Sequence, residues 1–299
     1  MTSVLVVGSV ALDTIETPHG RAAEVLGGSA THFALSASCF APVRLVGIVG
    51  RDFPREHLET LQVRKIDLAG LEIAEGRTFR WHGRFEGDMS RAQTLSVQLN
   101  VFESFRPRIP AAFADTPYVL LGNSSPRTQA AVLDQLRSPR FVLLDTMDFY
   151  IASERRALLD LLPRVSAICV NFDEAKQLAE AHNGASAVAR LLDLGVRAVI
   201  LKRGEHGATL ATRDFHFTIP AYPTKRVVDP TGAGDSFAGG LLGYLAAAGD
   251  EARSLRRALV YASVMGSFAV EEFGTLRIQR VTREEIESRA RALLEMIAV

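Results

Sequence analysis

"VVDPTGAGDSFAGGLLGYLA", Val227–Ala246, passes from two valines through Asp-Pro and Thr-Gly-Ala-Gly-Asp into a long apolar run. Asp is a poor helix former, and Gly is the costliest residue after Pro to order, so both at a helix start need a reason. Backbone just ahead of a helix offers unbonded amides and the positive end of the peptide dipoles. Gly232, Ala233 and Gly234 carry little or no side chain, so an anion can reach their N–H groups. A carboxylate on the rim of such a hole would repel the anion, unless it serves the group that attacks the anion. Asp235 therefore reads as a base that takes the proton of a hydroxyl held between it and a bound phosphoryl group. The plain alternative is a tight strand-to-helix turn with an Asp cap.

Other phosphate loops do not fit. No GxxxxGK[ST] occurs, and the first strand ends Gly8-Ser9-Val10-Ala11 rather than in GxGxxG. Outside the glycine loop, short β-branched runs alternate with helical patterns. Val4–Val7, Val43–Ile48, Tyr118–Leu121, Phe141–Leu144, Ala167–Val170 and Ala198–Leu201 read as strands. Thr31–Phe40, Phe53–Val63, Arg127–Leu136, Ser153–Leu162 and Glu174–Ala181 read as helices between them. Continuous apolar strands alternating with helices predict an α/β protein with a mostly parallel sheet covered on both faces. Thr282 and Glu285 have capping-box spacing, so they open a last helix over Thr282–Ala298.

Residues 12–26 and 76–101 break the alternation and predict a small separate sheet. In the second, Phe79, Trp81 and Phe85 alternate with Arg80, His82 and Arg84, giving one aromatic and one charged side. An exposed aromatic row is a liability, so it predicts a lid over a ligand, or against the lid of a second copy in a homodimer. The bland alternative is an ordinary edge hairpin. No repeat or linker divides the chain, so residues 1–299 are expected to form one domain.

Lys+Arg and Asp+Glu both number 34, which gives no basic excess for nucleic acid or an anionic membrane surface. The apolar runs are too short to span a bilayer, and the N-terminus lacks a signal-peptide pattern. Cys39 and Cys169 lie far apart in apolar segments and read as buried thiols of a reducing, cytoplasmic compartment.

The segment "DPTGAGDSFAGG" resembles the C-terminal signature of the ribokinase-like, or PfkB, carbohydrate kinases. "VVGSVALDTI", "LGGSATHFALSA", "RLVGIVGRDFP", "VNFDEAKQL" and "LKRGEHGA" precede it in the family's order, so the resemblance spans nearly the whole chain. It implies the ribokinase-like three-layer α/β/α fold with a small β lid. It further implies that Asp235 is the catalytic base and that Gly232, Ala233 and Gly234 form the anion hole. Asn171 and Glu174 would place Mg²⁺ through water, and Lys202, Gly204 and Thr231 would lie at the nucleotide. Asp229, with Thr231, resembles a monovalent-cation site for K⁺, although Glu271-Glu272-Phe273-Gly274 departs from the usual pattern. Asp13, Gly27, Gly28 and His32 would bind the acceptor. Ser29 and His32 stand where ribokinase-like sequences often have Lys and Asn, which speaks against D-ribose. The resemblance implies ATP-dependent phosphorylation of a primary hydroxyl on a sugar, with a nucleoside 5′-hydroxyl as the alternative. A non-catalytic sugar- or nucleotide-binding regulator is a third reading, disfavoured by the intact Asp235 and glycine loop.

Overall fold

The computed structural model describes residues 2–249 and 251–298. Its strands are β1 (Val4–Val7), β2 (Ala11–Thr17), β3 (Gly20–Gly27), β4 (Val43–Gly50), β5 (Ile66–Ala74), β6 (Phe79–Phe85), β7 (Ala92–Gln98), β8 (Tyr118–Leu121), β9 (Phe141–Asp145), β10 (Ala167–Asn171), β11 (Ala198–Lys202), β12 (Ala208–Thr212) and β13 (His216–Ile219). Nine of them form one sheet in the order β13-β12-β11-β10-β9-β8-β1-β4-β5. From β11 to β5 every pairing is parallel; β12 and β13 add an antiparallel edge. Successive strand residues point to opposite faces, and both faces are dry. Val4 and Val6 pack into one core, with Phe33, Leu241, Leu259 and Ile286 of the helices on that side. Leu5 and Val7 pack into the other, with Val132, Leu158, Ala175 and Leu191. Each of the larger of these side chains contributes about 1.5–3 kcal/mol by leaving water. The result is a three-layer α/β/α fold of the ribokinase-like kind, as the strand pattern and the resemblance led one to expect.

All six expected strands are present. The helix expected over Ser153–Leu162 begins at Arg155, because Glu154 (φ −131°, ψ 28°) leaves helical geometry and separates it from a preceding helix, Asp148–Ser153. Strands β5, β12 and β13 carry half-exposed residues rather than continuous apolar runs, and the pattern did not reveal them.

The segments that broke the alternation pair with each other in a separate four-stranded sheet, β3-β2-β6-β7. Strand β2 runs parallel to β6, with Asp13 opposite Trp81 and Leu12 opposite Arg80. Opposed residues share a face, so the alternation in β6 has a physical consequence. On one face Arg80 bonds Glu24 at 2.6 Å and pairs with Asp52 at 2.8 Å, while His82 and Arg84 both hold Glu16. On the other lie Phe79, stacked on Phe102 with centroids 5.4 Å apart, and Trp81 beside Asp13.

Among the described residues no helix is long and apolar enough to cross a membrane. Cys169 is buried and free; Cys39 is also free but only half-buried, and its sulfur accepts from Arg64 at 2.7 Å.

Candidate active site

The parallel strands β9, β10 and β11 end together, at Asp145, Asn171 and Lys202. That is the edge where open α/β sheets bind ligands. The Ala233–Ala248 helix arrives at the same place, fixed by close packing on the Ser29–Ala37 helix: a Cβ at Gly239 would lie 2.5 Å from the Phe33 carbonyl oxygen. Ser36 Oγ ties the two together by donating to the Ser236 carbonyl at 2.6 Å.

The start of that helix is a turn, in which the Ala233 N–H donates to the Pro230 carbonyl at 3.2 Å. Gly232 is the third residue of the turn, with φ 70° and ψ 5°, values that suit glycine there. The turn changes the expected anion hole. The Ala233 amide is committed to Pro230, whereas those of Gly232 and Gly234 donate to no backbone group among the described residues. Asp229 braces the turn from behind. It is fully buried; Oδ1 accepts from the Thr231 N–H at 2.8 Å and Oδ2 from the Gly274 N–H at 2.7 Å.

Asp235 lies in the first turn of the helix, half-buried. Burial, followed by the negative charge of Asp145, raises its pKa to about 7 against the opposing pull of Lys202; Asp13 and Glu174 add to the rise. These influences place Asp13, Asp145, Glu174, Lys202 and Asp235 in one electrostatic cluster. Lys202 Nζ lies 3.8 Å from Asp145 Oδ1.

The N-x-x-E spacing has a local cause. Asn171 Oδ1 accepts from the N–H groups of Asp173 and Glu174, and Glu174 Oε2 accepts from the Asn171 N–H at 2.7 Å, which is a capping box. The box turns Glu174 inward, where burial raises its carboxyl to about 7. Gly204 sits in the short β11–β12 connection with φ 55°, and an added Cβ there would meet nothing within 4 Å.

Asp13 is 4% exposed, and burial raises its pKa to about 7 despite the Gly28 N–H that donates to Oδ2 at 3.3 Å. The glycine pair serves this carboxylate: a Cβ at Gly27 would fall 1.9 Å from Asp13 Oδ2. The Gly28 amide is thus engaged by Asp13 itself rather than left for an acceptor. His32 is 1% exposed and packs against Gly232, and neither ring nitrogen has a partner among the described residues. Burial lowers its pKa to about 4, so the imidazole is neutral at neutral pH.

Sequence reasoning passed over Asp145. The expected strand stopped at Leu144, one residue short of a carboxylate at the carboxyl end of a parallel strand. That position was the available signal.

A raised-pKa carboxylate in the same helix turn as unbonded amides can deprotonate a hydroxyl while the amides hold a phosphoryl group. The comparisons agree with that chemistry. The profile of the pfkB family carbohydrate kinases matches residues 1–280. The cytidine kinase of Thermococcus kodakarensis is 33% identical over 254 residues, 81% of this chain and 88% of that protein. Among solved structures, Burkholderia thailandensis nucleoside kinase in complex with inosine superposes with a TM-score of 0.82 at 23% identity, covering 98% of both chains. A putative ribokinase II from E. coli in complex with ATP and Mg²⁺ gives 0.80 at 19% identity, covering 98% of this chain and 100% of that one. The chain belongs to the pfkB family of carbohydrate kinases and is a phosphotransferase with an alcohol group as acceptor.

Proposed function

We propose that the protein transfers the γ-phosphoryl group of ATP to the 5′-hydroxyl of a nucleoside. The observation that carries the acceptor class is the register of β2 and β6, which sets Trp81 on the same face as Asp13. A Cβ at Gly83 would lie 2.1 Å from the Trp81 ring, so the indole occupies the space that a side chain at Gly83 would take, and its Nε1 donates to Thr94 Oγ1 at 3.2 Å. Val97, 50% exposed, pairs with Trp81 and extends the apolar strip. A carboxylate that accepts from two ribose hydroxyls beside an apolar aromatic strip suits a sugar with a base attached. The kinship with a cytidine kinase supports the same acceptor.

In this reading Asp13 holds the ribose, Asp235 takes the 5′-hydroxyl proton, and the amides of Gly232 and Gly234 bind the phosphoryl oxygens. Mg²⁺ fits the site's charge: the carboxyls of Asp145, Glu174 and Asp235 gather around one ammonium, and a bound cation would favour their ionised forms. Among the described residues no cluster of carboxylates or imidazoles could cage a metal directly, so Asn171 and Glu174 would hold the ion through water. Its contribution would be to neutralise the phosphates of ATP. Asp229, a buried carboxylate without an ion pair among the described residues, suits K⁺.

Free sugars are the second reading, since Asp13 alone can recognise a vicinal diol. Comparing cytidine, inosine and adenosine with ribose and fructose, read as ADP release, separates the two. Nucleosides are expected to be preferred by about 10–100-fold in kcat/KM, the worth of one stacked base. Turnover of free sugars alone would sink the nucleoside reading and leave the kinase assignment standing.

The acceptor role of Asp13 has its own test. Gly27→Ala forces the carboxyl from its seat, and the acceptor KM is expected to rise about 100-fold, with the KM for ATP unchanged. An unchanged acceptor KM would remove Asp13 from the acceptor site.

A further inference from the structure

Lys202 ends β11, and its ammonium nitrogen is 3.0 Å from where a Cβ at Gly234 would stand. An ammonium beside the first turn of a helix is misplaced on its own, because that end of the helix already carries the positive end of the peptide dipoles. The side chain is also largely withdrawn from water, 20% exposed, and Asp145, 12% exposed, is its ion-pair partner at 3.8 Å. Burial opposes the charge, but the neighbouring carboxyls of Asp145, Glu174 and Asp235 outweigh it and hold the ammonium protonated. The amides of Gly232 and Gly234 and this ammonium are donors gathered at one place. Such a set is complementary to an anion with several oxygens.

We propose that Lys202 is a catalytic group that binds the phosphoryl being transferred, beside the Gly232 and Gly234 amides, and that Asp145 is the positioning residue that holds its ammonium there. The inference rests on the kinase reading above and goes beyond nucleotide binding by placing Lys202 at the reacting phosphorus. In the step concerned, the acceptor oxygen forms a bond to the γ-phosphorus and the bond from phosphorus to the β,γ-bridging oxygen breaks. That electron pair leaves with ADP, and the hydroxyl proton goes to Asp235. Lys202 remains an ammonium throughout, opposing the charge spread over the three equatorial oxygens. Gly234 suits this placement, because any side chain there would push into the ammonium. Asp145 fixes Lys202 from the strand two places along the sheet, through rigid backbone rather than a loop.

The test compares wild type with Lys202→Met, Asp145→Asn and the double variant. It measures turnover with cytidine and with ribose, ATP affinity by calorimetry, and binding of ADP with aluminium fluoride as a mimic of the transferring group. Lys202→Met is expected to lower kcat by about 10³-fold. It should lose tight binding of the aluminium fluoride complex and keep its affinity for ATP. Asp145→Asn is expected to lower kcat by about 10²-fold, as a misplaced catalytic group does. The double variant should match Lys202→Met alone, because Asp145 acts through the lysine. Should Lys202→Met fail to fold with Asp145 left unpaired, the double variant, which buries no lone charge, carries the comparison. Weakened ATP binding with unchanged kcat in Lys202→Met overturns the proposal, as does an additive loss in the double variant. If wild type phosphorylates neither acceptor class, the kinase reading falls and takes this inference with it. Active wild type with unaffected variants sinks this inference alone.

Discussion

Asp235→Asn is expected to lower turnover by about three orders of magnitude while ATP still binds and the fold is kept. The substitution preserves shape and hydrogen-bonding reach and removes only the capacity to accept a proton. Because burial and Asp145 raise the wild-type carboxyl to about 7, the free enzyme must lose that proton before it can act. In wild type, log kcat/KM should therefore climb with pH, bend near 7 and stay level above it; in the variant that bend should vanish. Stability gives a second readout of the opposite sign. A carboxyl raised in the folded state above its unfolded value of about 3.9 favours folding while protonated, and that contribution is lost as pH rises from about 4 through 7. Wild type should lose thermal stability across that window, and Asp235→Asn should be spared part of the loss. The gain at pH 8 is expected to be about 2–4 °C, modest because the group keeps some exposure and is partly screened. A variant that is slow yet more heat-stable at pH 8 is what a base under electrostatic pressure would leave behind. Undiminished turnover would take Asp235 out of the chemistry.

Much of this site could be read from the chain, and the part that could not shares one cause. Local rules reach as far as local geometry. The capping spacing of Thr282 and Glu285, the tight strand-to-helix turn at Gly232 and the two-residue period of β6 are each decided within a few residues, and each took the form it announced. Continuous apolar runs announced the interior strands because both faces of those strands are buried. Long-range facts stayed hidden. Nothing near Gly27 announces that Asp13 will lie against it, since that pairing depends on the register of β2 and β3, shifted by an irregularity after Asp13. Asp145 was invisible for a similar reason. A single acid at a strand end is ordinary until the sheet order sets it two strands from a lysine. The Ala233 amide was expected in the anion hole because the sequence shows which residues lack bulk, and not which amides a turn has already engaged.

Gly232→Ala joins the local and the long-range parts in one position, and it is expected to lower kcat by about 10²–10³-fold. Two costs coincide there. The backbone at φ 70° charges a residue with a Cβ about 1–2 kcal/mol. The new methyl would also stand 2.2 Å from His32 Nδ1 and 2.3 Å from Cε1. The imidazole has nowhere to retreat, because every residue of the Ser29–Ala37 helix is buried. The turn must therefore yield, carrying the Gly232 amide away from the phosphoryl site and loosening the start of the Ala233–Ala248 helix. Thermal stability should fall with activity, by about 4–8 °C for a total cost near 2 kcal/mol. Adding His32→Ala removes the collision but leaves the backbone strain, so the double variant should regain part of the stability and part of the turnover. If the collision were irrelevant, His32→Ala would restore neither. If Gly232→Ala alone kept full turnover, the amide at this turn could not be holding the transferred group, and the phosphoryl site would have to lie elsewhere along the strand ends.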